Sequence, residues 1–223
     1  YGFFVNGMES DARGNVSLAT AFLNAAELPI YIEAGGTLGY QPCDESNGEA
    51  SAAYELAKLA AIYEAGGTVT YLTLNGPISR VIATGRSGNG GFTLRESVRE
   101  LVDYIQAVHA VYPEMKIGLL SNFPNWSYHG ISAYQCTTRD IGDYAVVLDA
   151  VIAALAAVGE SVAYVVADNP FYYAVGAQPS NCYEETSATD WLGRLVSWCL
   201  WRSRLTGMVS PSRSSSTRIT VGP

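Results

Sequence analysis

The chain repeats one hydrophobic and polar pattern: a helical stretch, a Gly or Pro break, a short apolar run, and a polar residue where the run stops. Four runs have this form, at 29–33, 69–75, 117–122 and 162–168. Strand-length apolar runs that alternate with helical stretches predict βαβ units and a parallel sheet. Ligands of such sheets bind beyond the carboxyl ends of the strands. The terminal polar residues are therefore the first candidates for a functional site, namely Glu33, Asn75, Asn122 and Asp168.

Helical periodicity and capping signals predict the elements between these strands. The clearest helix begins at Thr93, because Glu96 stands three residues later as in a capping box, and it ends before Pro113. A further strand is predicted at Phe3–Val5, followed by Asn6. The other helices are predicted at 16–27, at 50–65 with a glycine C-cap at 66–67, at 143–158, and from about residue 187.

The predicted helix at 143–158 has almost no polar side. Helices that are apolar all round are usually buried on both sides. Two interpretations stay open, since the alanines are good helix formers in any setting. Either the helix is simply rich in alanine, or it forms an interface between subunits.

Composition and charge exclude several classes of protein. The chain has 223 residues, of which 48% are hydrophobic and 15% charged, and this excludes a disordered protein. A net charge of −8 argues against nucleic acid as a partner, because a polyanion requires clustered Lys and Arg. Asp149 interrupts the most apolar stretch, so no membrane partner is expected. A neutral or sugar-like ligand fits this composition better.

The four cysteines lack the paired spacing of a structural zinc site. Cys43, Cys136 and Cys182 fall in predicted loops and Cys199 in a predicted helix. One disulfide between loops in a secreted protein and four free thiols in a cytosolic protein are equally compatible with this arrangement. Tyr1 is not a natural start, so we expect a trimmed end, and the compartment stays open, secreted or periplasmic being one possibility.

The strand-end pattern resembles that of TIM-barrel glycoside hydrolases, in which catalytic carboxylates follow barrel strands. The segment Leu74–Pro77 is similar to the Asn-Glu-Pro or Asp-Glu-Pro strand ends of these enzymes, with Gly76 at the carboxylate position. The resemblance implies an α/β fold of the (β/α)8 type. The chain supplies only five or six parallel strands, and we therefore expect a partial barrel over residues 1–201.

The resemblance implies a hydrolase that cleaves glycosidic bonds with two carboxyl groups and without a metal or cofactor. Glu33 and Asp168 are the acids placed directly at strand ends, and we assign them as the catalytic pair. Strands two and five stand far apart around a barrel wall, which favours the wider carboxyl separation of inverting enzymes. Loop acids are alternative partners, namely Asp44, Glu45, Glu184 and Glu185.

Amide and aromatic side chains on the same predicted face suit the hydroxyls and C–H surfaces of an oligosaccharide. The residues expected to bind substrate are Asn6, Asn75, Asn122, Trp126, His129, Asn169 and Tyr172. Packing between loops is the alternative for each aromatic ring. The chain has fifteen tyrosines, so one aromatic cluster is expected from the composition alone.

Two other functions remain open. Loss of the carboxylate at Gly76 is compatible with a degenerate barrel that binds a saccharide without cleaving it. A serine esterase is compatible with Ser121 or Ser127 near His129, although Gly85–Asn89 does not form a nucleophile elbow. The glycine-rich stretch 85–91 also lacks the Lys-Ser/Thr ending of a P-loop and is interpreted as a loop over the site.

Residues 202–223 differ from the rest of the chain, with four arginines, six serines and no acid. We interpret them as an atypical basic tail. Back-translation read one base earlier permits a helix end, a turn and a strand, so a frameshifted or truncated barrel is a hypothesis for this segment. An open sheet exposes unpaired edges, and a homodimer that pairs two edges or two 145–158 helices is expected.

Overall fold

The computed structural model describes residues 2–4, 15–35, 37–39, 44, 46–83, 91–122, 126 and 141–168. Over these ranges the chain is an α/β protein with five strands and five helices. In chain order the elements are β1 (Gly2–Phe4), α1 (Asn15–Ala25), β2 (Ile30–Gly35), α2 (Asn47–Glu64), β3 (Val69–Asn75), α3 (Pro77–Ala83), α4 (Leu94–Val111), β4 (Lys116–Asn122), α5 (Tyr144–Ala157) and β5 (Tyr164–Asp168).

The five strands form one sheet in the order β1-β2-β3-β4-β5, and every pairing is parallel. Each strand therefore pairs with its neighbour in sequence. The α/β class and the parallel sheet predicted from the sequence are confirmed. Closure of the sheet into a barrel is not shown by the described residues.

Local signals account for most helix boundaries. At α4 the predicted capping box is confirmed, because Thr93 Oγ1 accepts the amide of Glu96 and Glu96 Oε2 accepts the amide of Thr93. At the end of α2, Gly66 has φ +80° and the Gly67 amide donates to the Ile62 carbonyl, which is the expected glycine C-cap. The short helix α3 was not predicted, and it begins with Pro77 in the first helical position.

The pleat of the strands divides the sheet into two faces. In β2 the buried residues Ile30, Ile32 and Ala34 alternate with the half-buried Tyr31 and Glu33. The buried positions join one hydrophobic core with the inward sides of α1, α2, α4 and α5. We call the side that carries Tyr31 and Glu33 the second face of the sheet. The side chains on this face point away from the helix-covered core.

Helices α2 and α4 pack closely against each other. Gly48 lies against α4 so closely that a Cβ atom there would fall 2.2 Å from the Glu100 carbonyl oxygen. The buried Glu100 side chain accepts the Gly48 amide at 2.9 Å. A carboxylate that is fully buried but hydrogen-bonded thus joins the two helices.

The same interface contains a second buried carboxyl, Glu55. Tyr104 donates a hydrogen bond to Glu55 Oε2, and Thr37, just after β2, lies 3.4 Å from Glu55 Oε1. Burial raises the pKa of Glu55 to about 7, although the hydrogen bonds from Tyr104 and Thr37 act in the opposite direction. The group connects α2, α4 and the segment that follows β2.

The helix α5 is buried on one side only, and its exposed side is also largely apolar. Val147, Leu148 and Val151 are buried, whereas Val146 is 59% exposed. Alanines on its flank leave an open groove against α4, about 700 Å³ in volume and lined by Leu94, Arg95, Val98, Arg99, Val102, Ala150, Ala154 and Ala157. The homodimer expected from this helix stays a prediction. Across the described residues, no helix has the length and apolar content needed to cross a membrane.

Stability should depend on pH through Glu55. A carboxyl whose pKa rises from 4.5 in the unfolded chain to about 7 when folded stabilises the fold fully below pH 4.5. We expect the free energy of unfolding to fall by about 3 kcal/mol between pH 4.5 and 7.5 from this group alone. Glu55→Gln should remove most of that slope in urea unfolding measured across this range. Glu64→Gln, at an exposed position on the same helix, should leave the slope as it is in the parent; equal slopes in all three proteins would contradict the assignment.

Candidate functional site

The carboxyl ends of β2 and β3 bring together two of the predicted site residues. Glu33 lies on β2 two residues before the strand ends at Gly35, so the strand is longer than predicted, and Asn75 is the last residue of β3. The Asn75 Nδ2 atom donates to Glu33 Oε1 at 2.7 Å. Both side chains are half-buried on the second face. The prediction that strand-end polar residues meet at one edge of the sheet therefore holds for this pair.

A third residue, Arg80, completes the arrangement and was not predicted. It lies on α3, and its Nη2 atom donates to Asn75 Oδ1 at 3.0 Å. Asn75 thus accepts from a guanidinium on one side and donates to a carboxylate on the other. Little in the amino-acid sequence predicts this contact, because α3 is short and carries no strong helical period.

Gly76 lies next to the Arg80 side chain. Its φ is +58°, a left-handed conformation that residues with a Cβ atom adopt at a cost. A Cβ atom at this position would lie 3.2 Å from Arg80 Nε and 3.3 Å from Ser79 Oγ. The position that matches the carboxylate of the glycoside hydrolase motif therefore combines a glycine backbone with an adjacent cation.

Asp168 ends β5 and belongs to the same edge of the sheet. Its register partner on β4 is Asn122. Burial raises the pKa of the half-buried Asp168 carboxyl above its usual 3.8, and the negative charge of Glu33 raises it further. The two predicted catalytic residues are therefore within electrostatic reach of each other, although β3 and β4 separate their strands.

Below the carboxyls, the second face carries a network of tyrosines around Thr73. The Tyr164 hydroxyl lies 2.6 Å from Thr73 Oγ1, and Tyr31 also hydrogen-bonds to Thr73. The Tyr71 ring meets the Tyr164 ring edge-on, with centroids 5.8 Å apart. Burial raises the pKa of Tyr164 to about 12, so its hydroxyl stays protonated at neutral pH. These contacts form one layer of aromatic rings and hydroxyl groups, which we call the tyrosine floor.

Gly118 on β4 allows the floor to form. Tyr164 is its register partner, and a Cβ atom on Gly118 would lie 2.1 Å from the Tyr164 ring. The ring therefore lies across β4 and reaches Thr73 on β3. Only glycine leaves the backbone of β4 open to this approach.

The tyrosine network was not predicted as part of the site, although the sequence contains a signal for it. Tyr31 precedes Glu33 by two residues, Tyr71 precedes Asn75 by four, and Tyr164 precedes Asp168 by four. Residues at even spacing along a strand share a face. The period of two thus places each tyrosine on the face of its strand-end polar residue.

Trp126 was expected to orient substrate, and the structure places it elsewhere. The side chain is 4% exposed and packs against Tyr144 of α5, with ring centroids 5.4 Å apart. It lines a small space between α3, β4 and α5 on the helix-covered side. Trp126 is therefore part of the hydrophobic core, and its burial argues for the packing alternative.

Ser121, which an esterase would use, also belongs to the helix-covered side. It is buried, and its Oγ atom lies 2.7 Å from the Tyr144 hydroxyl. Asp44, one of the alternative loop acids, is exposed and accepts hydrogen bonds from Ser46 just before α2. Ser121 is next to the last residue of β4, but it lies on the face opposite Glu33 and Asn75. The contacts of Asp44 do not join it to the strand-end residues.

Several predicted residues lie outside the described part of the chain. They are Asn6, His129, Asn169 and Tyr172, the acids Glu45, Glu184 and Glu185, and the four cysteines. For Asn122 the structure describes the backbone pairing with Asp168 and not the side chain. Their roles stay predictions.

Replacement of Gly118 should disturb the floor. We expect Gly118→Ala to lower the free energy of unfolding by about 1–3 kcal/mol, because the new methyl group and the Tyr164 ring cannot occupy the same space. In a Tyr164→Ala background the same substitution should cost much less. A double-mutant cycle in urea unfolding measures this coupling. Equal costs in the two backgrounds would show that the ring does not lie over Gly118.

Comparison with known proteins assigns no family to this arrangement. No protein-family model matches the chain, and searches of curated proteins and of solved structures find no match either.

Proposed function

We propose that the protein is a carbohydrate-active hydrolase that cleaves glycosidic bonds with Glu33 and Asp168 as its acid/base pair. The observation that carries the proposal is that two carboxyl groups from different strands lie toward the carboxyl edge of one parallel sheet, where burial and the charge of Glu33 raise the pKa of Asp168. Substrates of α/β sheets bind at this edge. Two interacting carboxyls in unlike surroundings are the minimum that glycoside hydrolysis requires.

We propose different roles for the two carboxyls, and their unlike surroundings support this division. Asp168 keeps its proton to higher pH, because it is half-buried and faces the charge of Glu33. Such a group is suited to protonate the oxygen of the leaving sugar. Glu33 accepts a hydrogen bond from Asn75, which holds one of its carboxyl oxygens in place. Glu33 is suited to act as the nucleophile or to activate water.

The sheet also supports a partial (β/α)8 barrel as the finer fold. All five described strands are parallel, and their spatial order follows the chain. In a flat sheet, strands three positions apart are separated by about 14 Å. The interaction between Glu33 and Asp168 is favoured by a sheet that curves toward its second face. In a barrel this face would line the interior, where tyrosines and carboxyls could contact a sugar.

A saccharide-binding protein without catalysis is the second candidate. It is favoured by Gly76, which stands where the related motif has a carboxylate. The tyrosine floor would serve binding in either case, because aromatic rings pack against sugar C–H groups. Binding without turnover distinguishes this candidate from the enzyme.

Activity should depend on both carboxyls. On a panel of chromogenic aryl glycosides, we expect Glu33→Gln and Asp168→Asn each to lower kcat/KM by about 10²–10⁴. An excellent leaving group such as dinitrophenol needs no protonation, so it should restore much of the rate to Asp168→Asn and little to Glu33→Gln. Activity of the parent should decline as pH rises and Asp168 loses its proton.

Matched controls are Glu64→Gln and Asp149→Asn, which make the same chemical changes at exposed helix positions. They should keep the activity of the parent. Glycoside turnover that survives both site substitutions would remove the assignment. Saccharide binding by calorimetry without turnover in the parent would replace the hydrolase with the binding protein.

A further inference from the structure

Three residues from β2, β3 and α3 form one continuous chain of polar contacts. Arg80 Nη2 donates to Asn75 Oδ1 at 3.0 Å, and Asn75 Nδ2 donates to Glu33 Oε1 at 2.7 Å. The orientation of the amide follows from chemistry. A guanidinium only donates, so the amide oxygen must face Arg80 and the amide nitrogen must face the carboxylate.

From this geometry we propose that Arg80 is a positioning residue. It holds the Asn75 amide with its oxygen toward Arg80 and its nitrogen toward Glu33, and the amide in turn orients the Glu33 carboxyl group. The inference rests on the proposed function for its catalytic consequence. Its structural content, the coupling of Arg80 to Glu33 through one amide, stands on the contacts alone.

The contact chain restrains the Asn75 side chain from two sides. Asn75 is fixed by the last residue position of β3 and by two charged neighbours. Bonds to charged partners are stronger than neutral ones, and Asn75 makes one on each side. Without Arg80, the amide can rotate and offer its oxygen to Glu33, which turns an attraction into a repulsion.

Gly76 is part of the same device. A Cβ atom at position 76 would lie 3.2 Å from Arg80 Nε, closer than a relaxed contact, so any larger residue competes with Arg80 for its place. The Gly76 carbonyl also accepts the Arg80 amide at 3.4 Å in the first turn of α3. The absence of a carboxylate at position 76 thus has a use: it provides the space in which Arg80 reaches Asn75.

Glycine at position 76, where the glycoside hydrolase motif has a carboxylate, then has a structural reason. A carboxylate at position 76 would stand beside the Arg80 guanidinium and would draw it away from Asn75. In this chain the strand-end position after Asn75 serves a cation, and the second carboxyl is supplied by β5. Gly76 is then a sign of a different arrangement of the site and not of its loss.

The direct test observes the Asn75 amide by NMR. In protein labelled with ¹⁵N-asparagine, the two Asn75 Nδ2 protons should have well-separated chemical shifts and should exchange slowly with water, because one of them is hydrogen-bonded to Glu33. Arg80→Met keeps the approximate length of the side chain and removes its hydrogen-bond donors. In this variant the chemical shifts of the two amide protons should approach those of a solvent-exposed asparagine, and their exchange with water should be at least about tenfold faster. Arg80→Lys, which keeps one charged donor, should lie between the two. Arg95→Met, at an exposed arginine on α4, is the matched control.

Glycine substitutions provide a second variant that does not touch Arg80 itself. Gly76→Ala and Gly66→Ala both force alanine into a left-handed conformation, with φ of +58° and +80°. Only the first meets Arg80, because nothing lies within 4 Å of a Cβ atom at Gly66. Both should shift the unfolding midpoint in the same direction, but only Gly76→Ala should alter the Asn75 amide signals.

In the active protein, Arg80→Met should lower kcat by about tenfold to a hundredfold with little change in KM, because it misplaces a catalytic group and removes no substrate contact. Arg80→Lys should recover part of kcat. Asn75 amide signals that are identical in the parent, Arg80→Met and Gly76→Ala would overturn the inference. If the signals change as expected while the parent cleaves no glycoside, the positioning contact stands and the proposed function fails.

Discussion

The pleat of the parallel strands is the constraint on which the rest of the structure depends. In-register parallel strands point corresponding side chains the same way, and the helices bury one face of the sheet. Ile32, Leu72 and Leu74 belong to the core, so their neighbours Tyr31, Glu33 and Thr73 must lie on the other face. The alternation along the strands therefore places these polar groups and tyrosines on the face opposite the helices.

Gathering carboxyls on one half-buried face has an electrostatic cost that the surrounding residues reduce. Glu33 is stabilised by the amide of Asn75, and Asn75 by Arg80. Asp168 responds differently, since burial and the charge of Glu33 favour its protonated form. One site thus combines two carboxyls in unlike surroundings, which is the arrangement that acid/base chemistry uses.

The fold was predictable from the sequence because its signals are local and repeated. Capping signals, helical periods and apolar runs identified the five described strands and four of the five described helices, all but α3, with errors of a few residues. Glu33 and Asn75 were found because parallel strands place their ends at one edge. The distribution of buried and open sides of α5 could not be predicted, since alanine suits both and only tertiary packing decides between them.

The rest of the site depended on contacts between residues distant in sequence. Trp126 was assigned to the ligand face because its loop follows a strand, but a large apolar ring gains more by packing against Tyr144 in the core. Arg80 was missed because its role arises from the left-handed backbone of Gly76, which a motif comparison records only as a missing carboxylate. Thr73 gave no signal as a single hydroxyl, since its partners come from β2 and β5.

Whether Glu33 and Asp168 share one environment can be measured by ¹³C NMR titration of the Asp168 carboxyl group. Burial and the charge of Glu33 should hold the pKa of Asp168 above 3.8 in the parent, and Glu33→Gln should lower it, because it removes the charge and keeps the shape. Glu64→Gln, at an exposed position on α2, should leave the titration as it is in the parent. An Asp168 carboxyl that titrates identically with and without the Glu33 charge would contradict a shared site and with it the proposed acid/base pair.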